Sequence, residues 1–135
     1  MSYRPGMPPV VTALYGALNA ILNILLADRV SRLRNRHKTS LGAGEVPELL
    51  VAIRGHGNNA EFVPMAIVML LLAELCGGNR TVLHVLGGLL LLARIAHPIG
   101  LAGKPRNPYR YLGTATTWLM IVASAGYVLY LRSTI

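Results

Sequence analysis

The sequence is poor in charge, in acid and in cysteine. Of its 135 residues only 13% are charged, five are Asp or Glu, and one, Cys76, is cysteine. Soluble domains carry about a quarter of their residues as Asp, Glu, Lys or Arg, so a water-soluble globule is not expected. A single cysteine cannot build an intrachain disulfide framework or a CxxC metal or redox site. No apolar run alternates with a period of two residues, so no β signal is present. What is abundant is apolar side chain: 53% of the residues are hydrophobic and mean hydropathy is +0.50, which excludes disorder. The net charge of +8 suggests nucleic acid, but such binders need a solvated basic face beside a soluble core. Here the charges fill gaps between apolar runs, and no nucleic-acid partner is expected.

A bilayer core of about 30 Å takes roughly 20 helical residues, and four runs qualify. Val10 to Ala27 and Tyr111 to Leu131 contain no formal charge. Pro47 to Cys76 is interrupted by Glu48, Arg54, His56, Asn58, Asn59, Glu61 and Glu74, and Thr81 to Ala102 by His84, Arg94 and His97. These polar residues are expected to face protein. The reading is an all-α integral membrane four-helix bundle in the lipid bilayer, a single domain over residues 1–135, with spans at about 8–30, 46–76, 81–102 and 110–132. The first run lacks the basic n-region of a cleaved signal and ends in a stop cluster, Asp28 followed by arginines.

Four spans place both termini on one side. The loop after the first span holds Arg29, Arg32, Arg34, Arg36 and Lys38, and the loop after the third holds Lys104, Arg106 and Arg110, whereas the opposite side holds Arg4, Arg80 and Arg132. By the positive-inside rule the two basic loops are cytoplasmic and both termini lie outside the cytoplasm. Tyr109 and Tyr111 at one end of the last span, and Tyr127 and Tyr130 at the other, fit interfacial belts.

Arg54 and Arg94 fall within spans, where ionisable groups are costly and mark a functional or a paired structural site. Arg54, Asn58 and Glu61, spaced i, i+4, i+7, share one helical stripe. Arg94 and His97, spaced i, i+3, lie at a similar distance from the basic end. A structural ion pair needs one cation and one anion. Here Arg54, Arg94, Arg110 and the cluster from Arg32 to Lys38 surround a single acid, Glu61, and surplus positive charge asks for an anionic ligand. Pro64 and Pro98 cannot donate to the carbonyls of Ala60 and Arg94 and should bend their helices. Asn19 and Asn23, one turn apart, read as interhelical hydrogen-bonding glue, and Gly87 and Gly88 as points of close helix approach. His56, His84 and Cys76 show no convergent metal spacing, and no metal is expected.

The segment Arg54-Gly-His-Gly-Asn58-Asn-Ala-Glu61-Phe-Val-Pro64, RxxxNxxExxP early in the second span, resembles the signature of the membrane-associated proteins in eicosanoid and glutathione metabolism, the MAPEG family. Ala93-Arg94-Ile-Ala-His97, followed by Lys104-Pro-Arg106-Asn-Pro-Tyr-Arg110, resembles that family's second motif. Spacing and helix number agree over nearly the whole chain. The resemblance implies a homotrimer that binds glutathione, as thiol co-substrate, at the cytoplasmic end of each subunit interface. It implies transferase or peroxidase activity on a lipophilic small-molecule substrate, an electrophile or hydroperoxide delivered by the bilayer. Glutathione's two carboxylates suit arginine's planar fork, so Arg32, Arg54, Asn58 and Arg94 are assigned to its carboxylates and amides and Glu61 to its ammonium. Arg110 matches the arginine that activates the thiol and is the expected catalytic residue. His97 resembles the histidine of the prostaglandin-synthase-like branch. Phe62 and Leu101 stand where members often carry tyrosine, so Tyr109, Tyr111 or Thr114 would have to supply the missing hydroxyl contacts. Two other readings stay open: a small four-span transporter or lipid-binding protein centred on Glu61, and a family member that keeps the fold and an anion site without turnover.

Overall fold

The computed structural model describes residues 8–101 and 108–134. Four helices follow one another, α1 (Val10–His37), α2 (Pro47–Leu75), α3 (Arg80–Leu101) and α4 (Pro108–Ser133). All four are long and apolar enough to cross a membrane. At 1.5 Å per residue, α3 is about 33 Å long and α1 and α2 are each more than about 40 Å, so α1 and α2 overrun a hydrocarbon core of about 30 Å.

The overrun revises one expectation. Arg29, Arg32, Arg34 and Arg36 lie on α1 itself, not in a loop. Nothing between Asp28 and His37 breaks a helix, Arg and Leu are strong helix formers, and Asp28 pairs with Arg32 one turn later at 2.8 Å. The helix stops at Lys38, which takes the left-handed conformation (φ 52°, ψ 37°), and the Thr39 N–H closes back on the Arg34 carbonyl at 3.0 Å.

The opposite end is held by polar caps that join different helices. No side chain of α1's own caps its N-terminus. Glu74 of α2 does so, its carboxylate accepting from the backbone N–H of Val11 at 2.9 Å and of Thr12 at 2.7 Å. This places a negative charge on donors that would otherwise be orphaned at the positive end of a helix. Asn79 caps α3 through Oδ1, which accepts from the N–H groups of Thr81 and Val82. The Asn79 N–H in turn donates to the Tyr127 hydroxyl of α4 at 2.7 Å.

Among the described residues every helix pair is in contact except α1 with α4, so those two occupy opposite corners. Two apolar clusters form. The larger joins Val11 of α1, Ala66, Leu70 and Ala73 of α2, Leu83, Leu86 and Leu90 of α3, and Met120 and Leu131 of α4. The smaller lies at the basic end, where Leu33 of α1 packs with Leu49 and Ala52 of α2. Between the two clusters the buried residues are largely polar.

In that band Asn59 Nδ2 donates to Asn23 Oδ1 at 3.0 Å, an α1 to α2 link. Asn19 does not act as expected: its Nδ2 donates to the Tyr15 carbonyl of its own helix at 2.8 Å, the partner that lies within reach one turn back. Gly87 accommodates a ring, because a Cβ there would collide with Tyr15. The Tyr15 hydroxyl donates to the His84 carbonyl at 3.0 Å. Both α2 and α3 continue through their internal prolines, Pro64 and Pro98, without interruption. Much of the outer surface is apolar, including Leu14, Ile21, Ile24 and Leu25 of α1 and Leu112, Leu119 and Val122 of α4.

Candidate functional site

The polar band is organised by Arg94. It is 1% exposed, the largest side chain among those wholly enclosed in the bundle. Its Nη1 donates to Asn58 Oδ1 of α2 at 2.9 Å and its Nη2 to the Gly113 carbonyl of α4 at 2.9 Å. One guanidinium on α3 thereby ties the two neighbouring helices. Its Nε has no hydrogen-bond partner among the described residues. The same Gly113 carbonyl also accepts from Thr117 Oγ1 at 2.8 Å.

The alternative weighed from the sequence, a structural ion pair within the spans, does not form among the described residues. Among the described residues the one ion pair is Asp28 with Arg32, both exposed on α1. Arg94 is therefore a buried cation solvated by an amide and a carbonyl rather than neutralised by a carboxylate. Such a group keeps its desolvation cost and adds an uncompensated positive potential to the surrounding interior.

Glycines set the closeness of α3 and α4. A Cβ on Gly113 would lie 2.9 Å from both the Ala93 carbonyl oxygen and His97 Cβ, and one on Gly100 would lie 2.8 Å from Arg110 Cα. No larger residue fits at either position without separating the helices. The first turn of α4, which carries Arg110, is thus seated on the last turn of α3. His97 is buried between them, and Arg94, Arg110 and Arg54 all lie within electrostatic reach of its ring. Arginines on α2, α3 and α4 thus all bear on the electrostatic field at this ring.

The other residues named from the sequence divide by exposure. Arg54, Glu61, Arg110 and Tyr111 are exposed on this single chain, while Asn58 and Thr114 are half-buried. Thr114 Oγ1 donates to the Arg110 carbonyl at 3.1 Å. Arg32 lies on the α1 extension with its charge engaged by Asp28. Phe62, next to Glu61, packs against Trp118 of α4 with the rings tilted at 51° and their centres 6.2 Å apart. Lys104 and Arg106 fall outside the described residues.

Sequence reasoning missed the Gly113 carbonyl and Thr117. A glycine and a threonine four residues apart in a helix carry no chemical signal of their own; only the facing arginine gives them one. It also missed Glu74 as a cap, although an acid near one end of an otherwise apolar run was a visible clue.

A family model described as MAPEG family matches residues 12–130. The chain is 36% identical over 123 residues to Inner membrane protein YecN of Escherichia coli, a match that covers 88% of this chain and 93% of the relative, and YecN from a second strain gives the same figures.

Proposed function

The chain belongs to the MAPEG family of integral membrane proteins, and on that premise we propose that it is a glutathione-dependent transferase or peroxidase acting on lipophilic electrophiles or hydroperoxides. The observation that carries the proposal is the buried, carboxylate-free Arg94 with Arg54 and Arg110 gathered around His97. No carboxylate pairs with these arginines among the described residues, and a peptide with two carboxylates would supply the partner.

The roles follow from donors and acceptors. Arg94 positions Asn58: because Asn58 Oδ1 accepts from Arg94, its Nδ2 is turned away as a donor for a peptide carbonyl or carboxylate. Arg54, exposed one turn earlier on the same stripe, takes a carboxylate, and Glu61 takes the ammonium. Arg54 and Glu61 stand on the outside of a single chain at a level where lipid would not tolerate them. A neighbouring copy covers them, and the proposed assembly is a homotrimer with the ligand between subunits. The basic end faces the cytoplasm, and both termini lie on the other side.

Arg110 acts on sulfur. It stands in the first turn of α4, where a cation and the helix N-terminus both favour a thiolate. A free thiol of pKa about 8.5 to 9 is roughly 1–3% ionised at pH 7, and lowering it by two units raises the reactive fraction roughly twenty- to fiftyfold. The sulfur lone pair then forms a carbon–sulfur bond as the leaving group departs with its bonding electrons.

The test is calorimetric titration of glutathione into the full chain in detergent, paired with conjugation of a chlorinated aromatic. Wild type binds at millimolar affinity or tighter, Arg54→Ala weakens binding, and Arg110→Ala lowers conjugation tenfold or more while sparing binding. Absence of glutathione binding by the wild type removes the proposal. A second reading, a proton-coupled carrier, is favoured by one observation: Glu61 is exposed and has no ion-pair partner among the described residues. Cation uptake in proteoliposomes that is lost in Glu61→Gln would establish that reading instead.

A further inference from the structure

The α1 extension carries a second basic site, separate from the arginine cluster. At its end lies an open basin of about 450 Å³ lined by Arg34, Asn35, Lys38, Thr39 and Ser40. Its lining offers a guanidinium, an ammonium, an amide and two hydroxyls, and no carboxylate. The hairpin's acids, Asp28, Glu45 and Glu48, all lie outside the lining, and Asp28 is already engaged by Arg32.

The basin is built rather than fortuitous. Arg34 Nη1 donates to the carbonyls of Thr39, Ser40 and Gly42 at 3.4, 3.2 and 2.9 Å, which folds the connecting segment back over the helix end. Its Nη2 and Nε make no hydrogen bond among the described residues and remain available as donors. Gly42 and Gly44 take positive φ, 65° and 55°, to complete the turn. The hairpin beneath is packed by Leu33, Leu49 and Ala52.

Its height along the membrane normal selects the partner. The apolar run of α1 ends at Ala27, and Arg34 is seven residues later, about 10 Å of rise. A headgroup layer adds about 5–8 Å to each side of the hydrocarbon core, so for an upright helix the basin sits about 2–5 Å beyond that layer, and closer to it once the helix tilts. Clusters of basic side chains immediately beyond a spanning helix attract anionic lipid, and Arg29 and Arg36 on the same extension add to the field. We propose that the basin between Arg34, Lys38 and Ser40 is a binding site for the phosphate-bearing headgroup of an anionic phospholipid of the surrounding membrane. The site does not depend on glutathione, because its residues are not those of the Arg94 cluster.

The experiment is native mass spectrometry of the full chain released from mild detergent after equilibration with phosphatidylglycerol or with phosphatidylcholine of the same acyl chains. Phosphatidylglycerol is retained and phosphatidylcholine is not. Lys38→Asn removes one charge, yet asparagine tolerates the left-handed conformation, so the turn survives. It weakens phosphatidylglycerol retention about fivefold, the equivalent of about 1 kcal/mol per basic side chain at an anionic surface. Arg132→Gln, at the opposite end, and Arg54→Ala leave retention unchanged. Equal retention of the two lipids, or unchanged retention in Lys38→Asn, overturns the proposal. So does loss of retention in Arg54→Ala, which would move the lipid to the arginine cluster, or displacement by millimolar inorganic phosphate, which would make a free anion the occupant.

Discussion

Replacing Gly113 by alanine tests whether the close approach of α3 and α4 builds the site. The added Cβ falls 2.9 Å from the Ala93 carbonyl oxygen and 2.9 Å from His97 Cβ. Both atoms belong to a helix that cannot step aside without its neighbours. Restoring ordinary contact requires the helices to part by about 0.5 Å, which stretches the 2.9 Å bond from Arg94 Nη2 to the Gly113 carbonyl past the usual limit of about 3.2 Å. Overpacking of this kind costs about 1–3 kcal/mol, and losing a hydrogen bond to a buried charge about 1.5–3 kcal/mol more. Alanine's better helix propensity returns about 1 kcal/mol, leaving a net loss of about 1.5–5 kcal/mol. Gly126 of the same helix has nothing within 4 Å of the place a Cβ would take and is the internal control. Reversible unfolding in mixed micelles should show Gly126→Ala at or slightly above wild-type stability and Gly113→Ala well below it, with weaker glutathione binding in the latter. Equal stability of the two variants would refute the close-contact argument, and with it the claim that Arg94 ties α3 to α4 through that carbonyl.

Two further outcomes are expected. Glu74→Ala leaves the Val11 and Thr12 N–H groups without their acceptor and should cost about 0.5–2 kcal/mol, read in the same unfolding assay; an unchanged stability would mean that α1 is capped by something else. A double-mutant cycle with Asn23→Ala and Asn59→Ala should give a coupling near 0.6 kcal/mol and no more than about 1.7 kcal/mol, the range for interhelical hydrogen bonds in membranes, and additive losses would show that the 3.0 Å bond contributes nothing.

Much of the fold was legible because its signals are local. Hydropathy over about twenty residues gives a helix of spanning length whatever surrounds it, and four helices long and apolar enough to cross a membrane lie where the apolar runs do. The end of α1 was not legible from hydropathy, since Asp28 to His37 is largely polar and nonetheless helical; there helix propensity, helped by Leu33 packing against Leu49 and Ala52, decides. The stripe of Arg54, Asn58 and Glu61 and the pair Arg94 and His97 could be placed by period alone. Their environments could not: Arg94 and His97 are enclosed, while Arg54 and Glu61 stand outside.

By itself the sequence determined that this is a four-span membrane chain with an excess of cations at one end and too few acids to neutralise them, because charge and apolar length are additive along a chain. Tertiary structure alone decided who satisfies whom. Glu74 reaches an amide 63 residues away, Arg94 meets Asn58 across 36 residues and Gly113 across 19, and Tyr15 meets His84 across 69. In an apolar interior every backbone polar group must find a partner inside the protein, and most buried side-chain polar groups find one too. That rule says a partner exists; only the packing of one helix against another, here admitted by Gly100 and Gly113, selects it.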